Sequence, residues 1–311
     1  MGNKRQRKII TRLLIGALVL FVVLVVGYFA DRYTSNRSVI FRTEGDHLQI
    51  YRDKKWQDFM IKGVSFGPEK GGEVGLEEPS SKAQYTRWFK QLASMDVNLL
   101  RVNTILPPAF FQAFLEYNIL TDKPIYLLQG IPLDEYNIKT YRNAYEDKLN
   151  ADLFEEIRRT IDVVHGKAVV KEVKGQASDT YRLNVAPYVM GYSLGAGLDA
   201  DFILNTNKKN PNVMGFDGDY LYTQNASPYE AWLASVGNFA VSYEQEKYSG
   251  PCKLVSWTNL SAAGSAEAPE DNSNNNAAPD INWDHIRITE KFNAGIFAFS
   301  MLRDKFTEYL E

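Results

Sequence analysis

A short apolar run at 188–194 ends at Gly195, passes a second glycine at Gly197, and gives way to a helical pattern beginning at Asp199. By periodicity and turn chemistry this is strand, tight loop, helix: one βα step of a parallel sheet. The same step recurs along most of the chain. Strands are expected at 60–66, 98–103, 124–130, 188–194, 253–258 and 295–301, with helices at 82–94, 108–117, 152–164, 228–247 and 303–310. Strict alternation of this kind specifies a parallel sheet with its helices outside, and the count stops at six strands. Ahead of it, 47–51 and 58–66 read as the arms of a hairpin about 52–56, and Ser81 stands where the first helix of the alternation needs an N-cap. A charged hairpin at 167–182 reads as an insertion, and 261–280 as an exposed low-complexity loop.

The amino terminus is of another kind. Lys4, Arg5, Arg7, Lys8 and Arg12 precede an uncharged, largely apolar run from Leu13 to Phe29, close to the roughly 20 residues a helix needs to cross a bilayer. The run is long for the apolar part of a cleaved signal peptide, and no small-x-small pattern follows it closely. The reading is an uncleaved single-pass anchor. Five cations before it, against Arg32 and Arg37 after it, place the amino terminus in the cytoplasm and the remainder outside. Four segments result: a cytoplasmic basic tail at 1–12, a transmembrane anchor at 13–30, a linker at 31–45 and a barrel domain at 46–311.

The chain carries a net charge of −3, so the part outside the basic tail is more acidic still. That argues against nucleic acid as a partner. Three histidines and a single cysteine, Cys252, offer neither a metal-ligand spacing nor an internal disulfide, and no cofactor or metal is expected. Asn36, Asn225 and Asn259 open Asn-x-Ser/Thr sequons, relevant only in a host that glycosylates.

Five phrases, Phe59-Met-Ile-Lys-Gly-Val-Ser-Phe-Gly-Pro68, Asn98-Leu-Leu-Arg-Val-Asn103, Ile125-Tyr-Leu-Leu-Gln-Gly-Ile131, Tyr188-Val-Met-Gly-Tyr-Ser-Leu-Gly195 and Val255-Ser-Trp-Thr-Asn259, stand in an order that resembles the retaining (β/α)8 glycoside hydrolases. The likeness is greatest to bacterial membrane-anchored members related to the family 2 catalytic barrel and to β-glucan hydrolases and transglycosylases. It implies a TIM-barrel-like α/β fold, here incomplete at six strands, and a polysaccharide or oligosaccharide as partner. Such enzymes need two carboxyl groups about 5–5.5 Å apart, one acid/base and one nucleophile. The resemblance places the acid/base two residues beyond Gly195, where this chain has Gly197 followed by Leu198, and the nucleophile on a seventh strand that is not seen. Where the family carries a Tyr-His and proline-rich stretch, this chain has Phe299-Ser-Met-Leu-Arg303. The pattern implies a retained fold with impaired catalysis.

Asp134 and Glu135 are the surviving candidate catalytic carboxylates, read either as sugar-binding or displaced acid/base groups or as a solvated pair capping a helix. Arg101 is implied to orient a carboxylate at the site, or it pairs with an acid such as Glu135. Asn103 is read as a sugar contact or a turn residue, and Tyr192 and Trp257 as stacking platforms for a pyranose or as core. Tyr220, Tyr222, Tyr229 and Trp232 share that last ambiguity. Asp199 and Asp201 suit a helix N-cap, and His165 a helix C-terminus. Three roles follow: a catalytically impaired glycan-binding domain serving cell-envelope polysaccharide metabolism, an active retaining glycosidase or transglycosylase on β-glucans, and a structural subunit whose barrel a membrane-protein partner completes.

Overall fold

The computed structural model describes residues 2–37, 41–66, 81–171, 178–195, 200–259 and 281–300. Helix α1, Gly2–Arg37, contains an 18-residue stretch, Ile10–Gly27, that is long and apolar enough to cross a membrane, and none of that stretch is buried.

Strands β1 (Phe41–Glu44), β2 (His47–Arg52) and β3 (Lys55–Asp58) follow as a three-stranded antiparallel meander. This differs from the expected single hairpin about 52–56. The β2–β3 turn is the two residues Asp53 and Lys54, both left-handed with φ of 53° and 61°, the backbone that a two-residue hairpin demands. Because neither is glycine or asparagine, the usual signal is missing, and Trp56 belongs to β3 rather than to the turn. Its ring packs on Tyr51 at 5.3 Å and takes the Arg42 guanidinium at 4.1 Å.

The alternation then proceeds through β4 (Gly63–Phe66), α2 (Lys82–Ser94), β5 (Leu99–Val102), α3 (Pro108–Leu120) and β6 (Tyr126–Ile131). Ser81 caps α2 as its spacing to Gln84 requires: the Gln84 amide donates to Ser81 Oγ, and the Ser81 amide donates back to Gln84 Oε1 at 3.1 Å. The inward stripe of α2 packs Tyr85 and Phe89 against Phe110 of α3, at 5.4 and 5.6 Å.

Two helices come next, α4 (Glu135–Tyr141) and α5 (Asp147–Val164), then a small hairpin of β7 (Ala168–Val170) and β8 (Asp179–Tyr181), as the insertion at 167–182 was read. A single 3-10 turn, Ala186–Tyr188, leads into β9 (Val189–Leu194). Beyond it lie α6 (Ala200–Lys209), β10 (Leu221–Thr223), α7 (Pro228–Tyr248), β11 (Leu254–Asn259), β12 (Ile286–Ile288) and β13 (Ile296–Ser300). The expected low-complexity loop at 261–280 and helix at 303–310 lie outside the described residues.

The central sheet has the order β4-β5-β6-β9-β11-β13, every pair parallel and every neighbour next in turn along the chain. With right-handed crossovers, an unreversed order puts all connecting helices on one face. That is barrel winding; a doubly wound sheet would reverse its order at a switch point. The sheet is also curled. Arg101 of β5 and Phe299 of β13 are four strand spacings apart along the sheet, roughly 19 Å if it were flat, yet the guanidinium lies 4.4 Å from the ring centroid. The architecture is therefore an α/β half-barrel of six parallel strands, as the alternation predicts.

The meander closes the base of this half-barrel, at the amino-terminal ends of the strands. Phe41 and Phe59 pack edge-on against Tyr126, at 4.8 and 5.7 Å, and Arg52 Nη2 donates to Tyr126 Oη at 2.9 Å. On the other side the Thr43 amide donates to the Ala294 carbonyl at 2.9 Å. Gly295 next to it has φ +97°, and a Cβ there would lie 2.0 Å from Thr43 Oγ1. Only glycine fits. Base of β6 and base of β13 are thus joined through β1.

Candidate binding site at the strand ends

Register assigns each strand residue to a face, because paired residues of a parallel ladder share a side and successive residues alternate. Starting from Arg101, the ladder runs Ser65, Arg101, Leu128, Gly191, Leu254, with Gly130, Ser193, Ser256 and Phe297 one level higher. Phe299, two residues beyond Phe297, meets Arg101 across the hollow, so this face is the interior. The opposite face carries Tyr192 and Trp257 toward α7.

The interior mixes small side chains at Ser65, Gly130, Gly191, Ser193 and Ser256 with apolar ones at Leu128, Leu254, Phe297 and Phe299 around the cation Arg101. Arg101 rests on Phe299, a cation–π contact in a partly enclosed setting. Gly130 is required where it stands: a Cβ would come within 2.4 Å of the Val102 carbonyl oxygen and 2.8 Å of Asn103 Cα. Its absence lets the chain leaving β5 lie directly against β6. At that junction Gln129 Nε2 donates to the Thr104 carbonyl at 3.2 Å and to the Gly130 carbonyl at 3.0 Å. Asn103 Oδ1, Thr104 Oγ1 and Gln129 Oε1 are buried there with no hydrogen-bond partner among the described residues. Buried polar atoms ordinarily find partners, so this corner has hydrogen-bonding capacity to spare.

Asp134 and Glu135 stand at the same end, just past β6. Asp134 is the N-cap of α4, its Oδ1 accepting from the Tyr136 amide at 2.8 Å. Glu135 occupies the first turn of α4, is largely exposed, and faces Lys139 one turn on at 4.0 Å. Helix α4 is not foreseen by periodicity, which seven residues are too few to display; the N-cap acid was its only signal.

Tyr192 and Trp257 are fully buried on the helix-facing side. The Trp257 ring stacks on Trp283 at 5.7 Å, and its edge would contact a Cβ at Gly237 of α7 at 2.9 Å. Tyr192 belongs to a dense polar network under α5 and α7. Its hydroxyl donates to Glu244 Oε1 at 2.8 Å, and His165 Nε2 lies 2.8 Å from the same oxygen. The His165 ring is stacked on Tyr248 at 3.7 Å, within 4° of parallel. Asp162 Oδ1 accepts from Tyr248, Tyr243 and Lys247 at 2.7–2.9 Å. Burial, reinforced by Glu244, pushes the Tyr192 hydroxyl far above the ordinary tyrosine range. Burial also draws the Lys253 ammonium down, against the opposing pull of Glu244. His165 is the C-cap of α5, in the position its sequence context suggests. Its contact with Glu244 comes from a helix 79 residues away and leaves no trace in local sequence.

The sequence candidates thus divide into groups. Arg101 and Asn103 come together at the interior and its upper rim, beside Thr104, which sequence reasoning passed over; Gln129, in register with Tyr192, faces the helices and braces that rim from behind, and its signal was one polar residue in an otherwise apolar strand. Asp134 and Glu135 lie at the same end, on the α4 cap. Tyr192 and Trp257 lie behind the sheet. Tyr229 and Trp232 are buried on α7, and Tyr220, just before β10, and Tyr222, within it, are partly buried. Gly197, Leu198 and Asp199 lie outside the described residues; Asp201, in the first turn of α6, meets Arg142 at 3.2 Å. No cluster of His, Cys, Asp and Glu among the described residues is arranged to hold a metal ion.

No protein-family model and no curated protein matches this chain. Among solved structures it is similar to the endo-1,4-β-mannanase of Rhizomucor miehei, at 12% identity and a TM-score of 0.39, over 70% of this chain and 60% of that one. It is also similar to a β-glucuronidase of Ruminococcus gnavus, at 11% identity and a TM-score of 0.35, over 71% of this chain and 33% of that one. The chain therefore spans less than two thirds of the length of either.

Proposed function

We propose that this protein is a membrane-anchored, extracytoplasmic glycoside hydrolase-like domain that binds a glycan without turning it over, in the service of cell-envelope polysaccharide metabolism. The observation that carries the reading is the interior lining. Ser65, Arg101, Leu128, Gly130, Gly191, Ser193, Leu254, Ser256, Phe297 and Phe299 line the described part of the hollow. None of them supplies the carboxyl pair that acid/base and nucleophilic glycoside cleavage need. The position that the family resemblance assigns to the acid/base is Gly197, which has no group to exchange a proton.

What remains suits binding. An arginine on an aromatic ring gives a fixed cation, and Asn103 and Thr104 at the rim carry side-chain oxygens without partners among the described residues, suited to sugar hydroxyls. The anchor reading rests on Ile10–Gly27, and its orientation on the five cations that precede it.

The test uses the full chain in lipid nanodiscs, alone and with Gly197→Glu, against β-linked glucans and aryl glycosides. Binding by calorimetry with no hydrolysis or transfer by either protein is the expected result. Turnover by the wild type that persists through repurification and is abolished by Glu135→Gln would establish an active enzyme in place of the binding domain.

A further inference from the structure

Outside α1, four of the large apolar side chains most open to solvent occupy consecutive loops at one end of the half-barrel. Met60 is 82% exposed and Ile61 43%, just before β4; Met95, 60% exposed, follows α2; Leu120, 68% exposed, ends α3. All four precede a parallel strand, so all lie at the base, opposite the candidate binding site. They belong to one surface. The loops that carry them surround a cavity of about 330 Å³ lined by Met60, Ala93, Val97, Asn98 and Pro124 among others. Asn98 ties them together, its Oδ1 accepting from the Lys62 amide at 2.8 Å and its Nδ2 donating to the Met60 carbonyl at 2.8 Å. Lys123 bridges to Asp96 at 3.2 Å.

The same end receives α1. Only residues 38–40 separate α1 from β1, a connection of at most roughly 15 Å at full extension, and β1 is part of the meander that closes the base. The backbone of α1 also packs close to α3 and to the Ala186–Tyr188 turn that opens β9 from below. The barrel accordingly packs against part of α1. This surface sets long apolar side chains among Lys62, Lys123 and Arg52, with Asp58, Asp96 and Asp122 beside them; held next to α1, such a surface suits the interfacial layer of a bilayer, where apolar groups enter the acyl boundary and charged heads stay at the headgroups.

We infer that the base of the half-barrel is a membrane-contacting face, with Met60, Met95 and Leu120 inserted into the headgroup–acyl boundary and the strand ends aimed away from the bilayer. This rests on the anchor reading above, and the experiment separates the two.

The full chain carrying Cys252→Ala is given a single cysteine by Met60→Cys, Met95→Cys, Leu120→Cys or, as control, Tyr136→Cys on α4 at the opposite end. Each is labelled with the environment-sensitive fluorophore NBD and compared in detergent-free vesicles of phosphatidylcholine and phosphatidylglycerol. Expected are blue-shifted, intensified emission at 60, 95 and 120, quenched by nitroxide-labelled lipid, and neither effect at 136. Water-like emission at all four positions, in protein that resists alkaline carbonate extraction, would overturn the membrane face while leaving the anchor intact. Release of the chain by carbonate would overturn the anchor and this inference with it. Near-ultraviolet circular dichroism matching the parent confirms that each labelled variant is folded.

Discussion

The two faces of β9 have opposite characters. Toward the interior it presents Gly191 and Ser193; one residue over, Tyr192 turns to the helices and joins Glu244 and His165 beside the Asp162 cluster. Behind the sheet, these polar groups are paired at ordinary hydrogen-bond distances. Toward the hollow β9 carries only small side chains, and at the rim beyond β5 the side-chain oxygens of Asn103 and Thr104 have no partner among the described residues. Paired polar groups thus stand on one side of a single strand and small side chains on the other.

The comparison can be broken most decisively at Glu244. Glu244→Leu removes the acceptor shared by Tyr192 and His165 in a buried setting, and a loss of about 3–5 kcal/mol in urea unfolding is expected. A change under 1 kcal/mol would mean that the network is ornamental. Next is Gly130→Ala, at an interior position that, like Gly191, leaves no room for a Cβ. Its Cβ meets backbone that cannot move independently, so a loss of about 1–3 kcal/mol is expected, with weakened glycan binding because Asn103 is displaced.

Tyr192→Phe sharpens the contrast through pH. At neutral pH it deletes one hydrogen bond to a carboxylate, about 1.5 kcal/mol. In the folded protein burial keeps the proton on the Tyr192 hydroxyl well past the ordinary tyrosine range, whereas the unfolded chain loses it near pH 10. The unfolded state then binds fewer protons, so unfolding free energy falls as pH rises above about 10, by up to about 1.4 kcal/mol per pH unit for this group. The stabilisation is complete below that pH. Lys253 acts in the other direction, its lowered value giving stability that increases as pH climbs toward the lysine range. The Phe variant is expected to show a shallower alkaline decline in chemical denaturation between pH 9 and 11; parallel curves for the two proteins would contradict the assignment. The smallest effect is expected at Ser193→Ala, within about 0.5 kcal/mol, and a large loss there would mean that the interior is as tightly built as the helix layer.

Fold class was legible because it depends on patterns that repeat: six apolar runs interleaved with helices specify parallel winding without reference to any one residue. Boundaries and short elements were less so. The Asp53-Lys54 turn lacks glycine, and α4 is too short to show a period. The site was legible only in part. Arg101 and Asn103 are visible as polar residues at the end of an apolar strand, and Gln129 could have been. Whether Tyr192 and Trp257 face the hollow or the helices is a matter of strand parity, which an apolar run buried on both sides does not reveal. The His165–Glu244 contact joins helices distant in sequence, and no local signal encodes it.

The clasp at the base has a consequence for how the molecule is made. Thr43 and Ala294, whose backbones meet there, are roughly 250 residues apart, a separation that makes their pairing late in any folding sequence. β1 is synthesised first among the strands and must wait for nearly the whole chain to arrive. During that interval, on the anchor reading, α1 has already fixed it at the membrane, so assembly proceeds from a tethered seed, and the final strand closes on a partner that cannot diffuse away.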